Sequence, residues 1–245
     1  MSPSSIKPRK RAGKIVLLSL CALLLALLLA FFAYTQDYYH ADANAVALLD
    51  SSPAIRQDGN LTILSPDAAN DTGAGLIFYP GGKVAETAYL PLLEQLRKNG
   101  LTCILVKMPF RLAVFDIRAA DAVYGQFPSI SRWYLAGHSL GGAMASSYVP
   151  GNENKLAGLI LLGAYPLNDS PIPTLAIYGS EDVQLDRSKL TTVANKIEIQ
   201  GGNHAYFGNY GEQAGDGTAA ISREEQQAQT VTAILAFVQS TLPAR

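Results

Sequence analysis

A serine, an aspartate and a histidine are placed where chemistry could happen. Ser139 lies in "RWYLAGHSLGGAMASSYV", residues 132–149, where an apolar run breaks at Gly137-His138-Ser139-Leu140-Gly141 and gives way to small residues. Glycine on both sides suits a turn too tight for side chains, one that lifts the serine hydroxyl above the end of a strand. Free N–H groups at the start of the next helix then favour developing negative charge. With a base in reach, such a serine is a nucleophile. The plain alternative is an ordinary strand-to-helix connection. With Gly and Ser each at roughly 7% of residues, the three fixed positions match by chance at about three sites in ten thousand. The pattern alone is therefore weak, and its setting between a strand and a helix strengthens it.

The chain has three histidines to offer as base. His40 follows the apolar N-terminal run. His138 sits inside the turn and neighbours it rather than facing the serine from a separate loop. His204, in "GGNHAYFGNYG" after the last expected strand, is left as the general base. A base needs a carboxylate to hold its tautomer and stabilise the imidazolium. Asp182, in "YGSEDVQLD", is the choice, with Glu181, Asp186 and Asp169 as alternatives. Acyl transfer also needs donors for an oxyanion. One is the backbone N–H of Leu140. The second is that of Gly82 or Lys83 in "YPGGKV", residues 79–84.

These residues must be positioned by strands and helices. "NLTILS", "GAGLIFYP", "LTCILVKMP", "RWYLAGH", "LAGLILLGA", "PTLAIYGS" and "KIEIQGG" read as strands. "AETAYLPLLEQLRKNG", "VFDIRAADAVYGQF", "SLGGAMASSYV", "DRSKLTTVANK" and "SREEQQAQTVTAILAFVQSTL" read as helices between or after them. Nearly continuous apolar strands alternating with helices predict a mostly parallel sheet covered on both faces. Active groups in such a sheet collect at the carboxyl ends of its strands. Ser139, Asp182, His204 and the Gly81-Gly82 loop all fall at such ends.

The order Ser139, Asp182, His204, together with "GHSLGG", "YGSED" and "GGNHAYF", resembles the α/β-hydrolase family over roughly residues 60–242. It is most similar to the small serine hydrolases of the dienelactone-hydrolase and simple-esterase kind. The resemblance implies the α/β-hydrolase fold and a Ser-His-Asp triad acting through an acyl-enzyme. One departure is Pro80-Gly81-Gly82 where many family esterases carry His-Gly, which bears on the second oxyanion donor. Between the strand ending near Gly163 and the next near Pro173, only "AYPLNDSPI" intervenes, so no lid domain fits and an open site is expected. The glycine-rich stretch at 207–226 is a candidate wall of the pocket, and Tyr206, Phe207 and Arg111 are candidates to line it.

Residues 1–14 carry five lysines and arginines, and residues 15–34 are twenty residues without a charge. About 20 apolar residues span a hydrocarbon core, whereas a secretory apolar region runs to about 15. The expected layout is a cytoplasmic basic segment at 1–14, a transmembrane anchor at 15–35, a linker at 36–59 and the hydrolase domain at 60–245. The basic flank keeps the N-terminus cytoplasmic and the domain outside. The alternative is a signal cut near "ADANA", residues 41–45, releasing a secreted protein. Net charge is −1, so nothing in the charge balance points to a nucleic-acid partner and none is expected, and two cysteines make no framework or metal spacing.

The reading is a membrane-anchored serine hydrolase acting on a small-molecule ester or related acyl bond, with no metal or organic cofactor implied. The alternatives are an acyltransferase or thioesterase on the same fold, and a non-catalytic binding protein. Oligomeric state is not legible.

Overall fold

The computed structural model describes residues 9–241; residues 1–8 of the expected basic segment and residues 242–245 lie outside the described residues. The chain divides into two compact units, Met1–Tyr38 and Tyr39–Arg245. Among its described residues the first contains one helix, α1, Arg9–Gln36. Its stretch Ala12–Gln36 has a mean hydropathy of 3.1, which makes it long and apolar enough to cross a membrane.

The second unit is an eight-stranded sheet: β1 Ile55–Asp58, β2 Leu61–Leu64, β3 Ala74–Tyr79, β4 Thr102–Val106, β5 Arg132–His138, β6 Gly158–Leu162, β7 Thr174–Gly179 and β8 Asn195–Ile199. Its spatial order is β1-β2-β4-β3-β5-β6-β7-β8. The pairs β1–β2 and β2–β4 are antiparallel, and every pair from β4 to β8 is parallel. The helices are α2 Ala43–Val46, α3 Leu48–Ser51, α4 Leu90–Lys98, α5 Asp121–Tyr124, α6 Leu140–Tyr148 and α7 Arg223–Ser240. Leu76, Phe78, Leu105, Tyr134 and Ile177 bury one face of the sheet with residues of α4 and α7. Ile77, Ile104, Leu135 and Leu161 bury the other with residues of α6. Two covered faces explain why the strands read as unbroken apolar runs.

The fold differs from the sequence expectation in four places. Residues 39–59, read as linker, belong to the compact unit and carry α2, α3 and β1. β1 turns into β2 at Asp58-Gly59-Asn60, with Gly59 at φ +59°. The helix expected over 114–127 is reduced to short turns and α5. Tyr79, buried beneath it, donates its hydroxyl to the Ile117 carbonyl at 3.0 Å and accepts the Ala120 N–H at 2.8 Å. A core side chain thus satisfies backbone groups that a helix would have paired. The helix expected over 186–196 is one 3₁₀ turn, Arg187–Leu190, capped by the Asp186 side chain. The helix expected over 85–100 begins as a 3₁₀ turn, Glu86–Tyr89, before α4.

Strand order reverses at β3, which has β4 on one side and β5 on the other. The crevice above the carboxyl ends at such a reversal is where ligands bind in open α/β sheets. Pro80-Gly81-Gly82 leaves β3 there, and Ser139 leaves β5 beside it.

Candidate active site

Ser139 has φ 51° and ψ −122°, a strained conformation for a residue with a side chain. It is held on both sides. Its N–H donates to the Leu162 carbonyl of β6 at 2.9 Å, and its carbonyl accepts from Ala143 at 3.0 Å inside α6. The turn closes so tightly that a Cβ on Gly137 would fall 2.5 Å from the Gly141 carbonyl carbon and the Gly142 nitrogen. That close approach requires glycine.

Asp182 and His204 come together from the ends of β7 and β8. Asp182 Oδ2 lies 2.9 Å from His204 Nδ1, with both side chains almost wholly buried. Asp182 Oδ1 accepts the backbone N–H groups of Gln184, at 3.0 Å, and Leu185, at 3.1 Å. The carboxylate is therefore fixed by two donors on one oxygen and an imidazole on the other. Since a carboxylate only accepts, Nδ1 carries a hydrogen, and in the neutral tautomer Nε2 presents a lone pair. Nε2 is buried and has no hydrogen-bond partner among the described residues. Gly163, at φ +51°, makes room for the pair: a Cβ there would stand 2.9 Å from His204 Nδ1 and 3.1 Å from Asp182 Oδ2.

The other carboxylates expected as alternatives are elsewhere. Asp186 caps its own turn, Glu181 accepts from Ser180 at 2.9 Å, and Asp169 lines a groove of about 600 Å³ bordered by Pro173 and Asn195 at the amino ends of β7 and β8.

Ser139 and His204 line one cavity of about 280 Å³, with Leu140, Ala143, Gly163, Ala164, Tyr165, Gln184 and Leu185. No hydrogen bond joins the Ser139 hydroxyl to Nε2, a contact that is often long in ligand-free hydrolases. Tyr206, Phe207 and Arg111, expected to line the site, are not on this wall; Tyr165, Gln184 and Leu185 are. Nothing in the sequence singled those three out, because they reach the cavity from the connections after β6 and β7.

The 207–226 stretch supports His204 from behind rather than walling the cavity. Asp216 accepts the His204 N–H at 3.2 Å and the Ala205 N–H at 2.8 Å. Gln226, fully buried on α7, bonds both the N–H and the carbonyl of Asn203, at 2.9 and 2.8 Å. Helix α7 is started by Ser222, which caps the Glu225 N–H.

Of the two loop donors expected beside Leu140, the Lys83 N–H is taken by the Arg111 carbonyl at 2.9 Å. The Gly81 N–H is taken by the Tyr89 hydroxyl at 3.0 Å. The Gly82 N–H makes no backbone hydrogen bond among the described residues. The Leu140 N–H opens α6, where no helical carbonyl reaches it.

His138 is fully buried next to the pair, its ring centroid 4.6 Å from that of His204. Burial first, and then the neighbouring His204, hold it well below the ordinary imidazole value, so it is neutral. Burial likewise holds the Tyr89 phenol well above its ordinary value.

A model of the alpha/beta hydrolase family matches residues 75–228 of this chain. The chain belongs to the alpha/beta hydrolase family. Among solved structures, this hydrolase-fold chain is similar to a lidless α/β serine hydrolase from Xanthomonas campestris, at TM-score 0.51 and 17% identity over 76% of this chain and 90% of that one. It is similar to dienelactone hydrolase from Anabaena variabilis, at TM-score 0.54 and 16% identity over 72% and 90% of the two chains. It is also similar to a bacterial membrane phospholipase A, at TM-score 0.52 and 14% identity over 96% and 99%. No curated protein matches the chain. At these identities the structural likenesses speak for the fold.

Proposed function

We propose that this α/β hydrolase cleaves an ester or related acyl bond with Ser139 as nucleophile. The observation that carries the reading is the buried Asp182–His204 pair, whose unpartnered Nε2 belongs to a ring on the same cavity wall as Ser139. Ser139 Oγ attacks the acyl carbonyl as His204 Nε2 takes its proton. The oxyanion is held by the N–H groups of Leu140 and Gly82, Lys83 being already engaged. The tetrahedral intermediate collapses, His204 returns the proton to the leaving group, and the acyl-enzyme forms. Water, deprotonated by His204, then releases the acid and restores the serine. Asp182 orients His204 throughout and stabilises the imidazolium that forms.

We further propose that residues 15–35 anchor the protein, with the N-terminus cytoplasmic and the catalytic unit outside. Retention of the N-terminal segment is favoured by what a cut at 41–45 would discard. Tyr39 donates its N–H to the Lys83 carbonyl and accepts from Ala85, and Asp42 pairs with Arg223 at 2.7 Å.

The test is fluorophosphonate labelling of membranes carrying the full chain as wild type, Ser139→Ala and His204→Ala. Labelling of wild type alone is expected. A folded wild-type protein that does not label returns the non-catalytic reading. Turnover of short- to long-chain esters, a thioester and a phospholipid identifies the substrate; the phospholipid is included because one similarly folded protein is a membrane phospholipase A. Products formed with and without an added alcohol separate hydrolysis from acyl transfer.

A further inference from the structure

Tyr89 and His138 are completely buried, and neither lines the catalytic cavity. The mechanism above uses neither. Their polar atoms nevertheless form one continuous chain. The Gly81 N–H donates to the Tyr89 hydroxyl oxygen at 3.0 Å. That oxygen lies 2.8 Å from His138 Nδ1. His138 Nε2 lies 3.0 Å from the backbone carbonyl oxygen of His204.

The chemistry of the partners fixes every proton. A carbonyl can only accept, so His138 Nε2 carries the hydrogen. In a neutral ring Nδ1 is then bare, and it must accept from the Tyr89 hydroxyl. The Tyr89 oxygen is left to accept from Gly81. Each buried polar atom is satisfied in this one arrangement, and a fully satisfied buried network rigidifies what it joins.

What it joins is informative. At one end is Gly81, immediately before Gly82, the free donor of the oxyanion loop. At the other end is the backbone of His204 itself. These two segments follow β3 and β8, which lie at separate places in the sheet. The fit is tight: a Cβ on Gly81 would lie 2.8 Å from both His138 Nδ1 and the Tyr89 hydroxyl. Phe207 also packs against the His138 ring, the two centroids 5.6 Å apart.

We propose that Tyr89 and His138 are positioning residues, a buried relay that sets the oxyanion-loop donor against the general base. The proposal rests on the serine-hydrolase reading of the site. A relay of this kind acts on the transition state, because the oxyanion donor and the base must both be in place only when the tetrahedral species forms. Ground-state binding needs neither alignment.

The experiment compares wild type, Tyr89→Phe, His138→Leu, His138→Gln and the Tyr89→Phe/His138→Leu double variant, all as full chains in detergent. Ester kcat and KM, fluorophosphonate labelling and Tm are measured for each, below the melting range. Tyr89→Phe and His138→Leu should lower kcat by about 10- to 100-fold, the size expected for a misplacement approaching 1 Å. KM should stay within about threefold. The double variant should be little worse than either single, since one relay is broken only once. His138→Gln, which keeps a donor for the His204 carbonyl, should retain more activity than His138→Leu. Long-range proton–nitrogen NMR on ¹⁵N-histidine protein should find His138 as the Nε2–H tautomer. Folded single variants with kcat within twofold of wild type, additive losses in the double variant, or an Nδ1–H tautomer overturn the relay. Wild type that neither labels nor turns over any ester overturns instead the reading on which the relay rests.

Discussion

Asp182→Asn tests the assigned orienter through the orientation of a single amide. Asp182 Oδ1 accepts two backbone N–H groups, from Gln184 and Leu185, at 3.0 and 3.1 Å. In the asparagine variant the amide oxygen must stay there, because an NH₂ facing two N–H donors would leave both unpaired. The NH₂ then falls where Oδ2 met His204 Nδ1 at 2.9 Å. An NH₂ only donates, so Nδ1 gives up its hydrogen and Nε2 takes it. Ser139 then meets an N–H in place of a lone pair, and its proton has nowhere to go. Restoring the useful tautomer means flipping the amide and orphaning two N–H groups, at about 1–3 kcal/mol each. A cost of roughly 2–6 kcal/mol makes the competent form about 30-fold to 2 × 10⁴-fold rarer. The expected result is kcat lowered by that range. KM should barely move, because Asp182 is not part of the cavity wall. The assay is ester turnover by the full-length variant, with Tm measured alongside. A folded Asp182→Asn enzyme keeping kcat within tenfold of wild type would refute the assignment of the orienter.

Two further outcomes follow from neighbouring geometry. Gly163→Ala places a methyl 2.9 Å from His204 Nδ1 at a backbone φ of +51°, so kcat/KM should fall about 100-fold while Tm falls modestly; wild-type turnover would show that the Asp182–His204 pair has more room than described. The buried His138 binds a proton less readily folded than unfolded, so its contribution to stability is complete above the ordinary imidazole value of about 6.5 and is lost as pH falls below it. The loss is up to about 1.4 kcal/mol per pH unit until the folded-state value is reached. Tyr89 and His204 are the titratable groups facing it. Urea unfolding of His138→Gln should therefore lose less stability than wild type between pH 7 and 5, and equal slopes would show that His138 is not held neutral.

The parallel core strands and the elbow were legible because their signals are local. β3 to β7 are apolar runs bounded by glycine or proline, and the tight turn at Ser139 demands glycine at fixed offsets. The failures share a physical cause too. The helix expected over 114–127 has adequate propensity, yet a tyrosine from β3, distant in sequence, takes its backbone groups. β1 has one buried residue in four and pairs only at the sheet edge, so no alternation announces it.

The sequence by itself determined the family of folds, the order of Ser139, Asp182 and His204, and the presence of one long apolar helix, since each depends on residue type and spacing along the chain. Tertiary structure alone decided which carboxylate meets His204, which loop N–H stays free, and what His138 does. Those are questions of distance between segments up to 123 residues apart, from Gly81 to His204, and of which donors are already spent. In the sequence His138 is only a neighbour of the serine; packed between Tyr89 and the His204 carbonyl, it joins the two halves of the site.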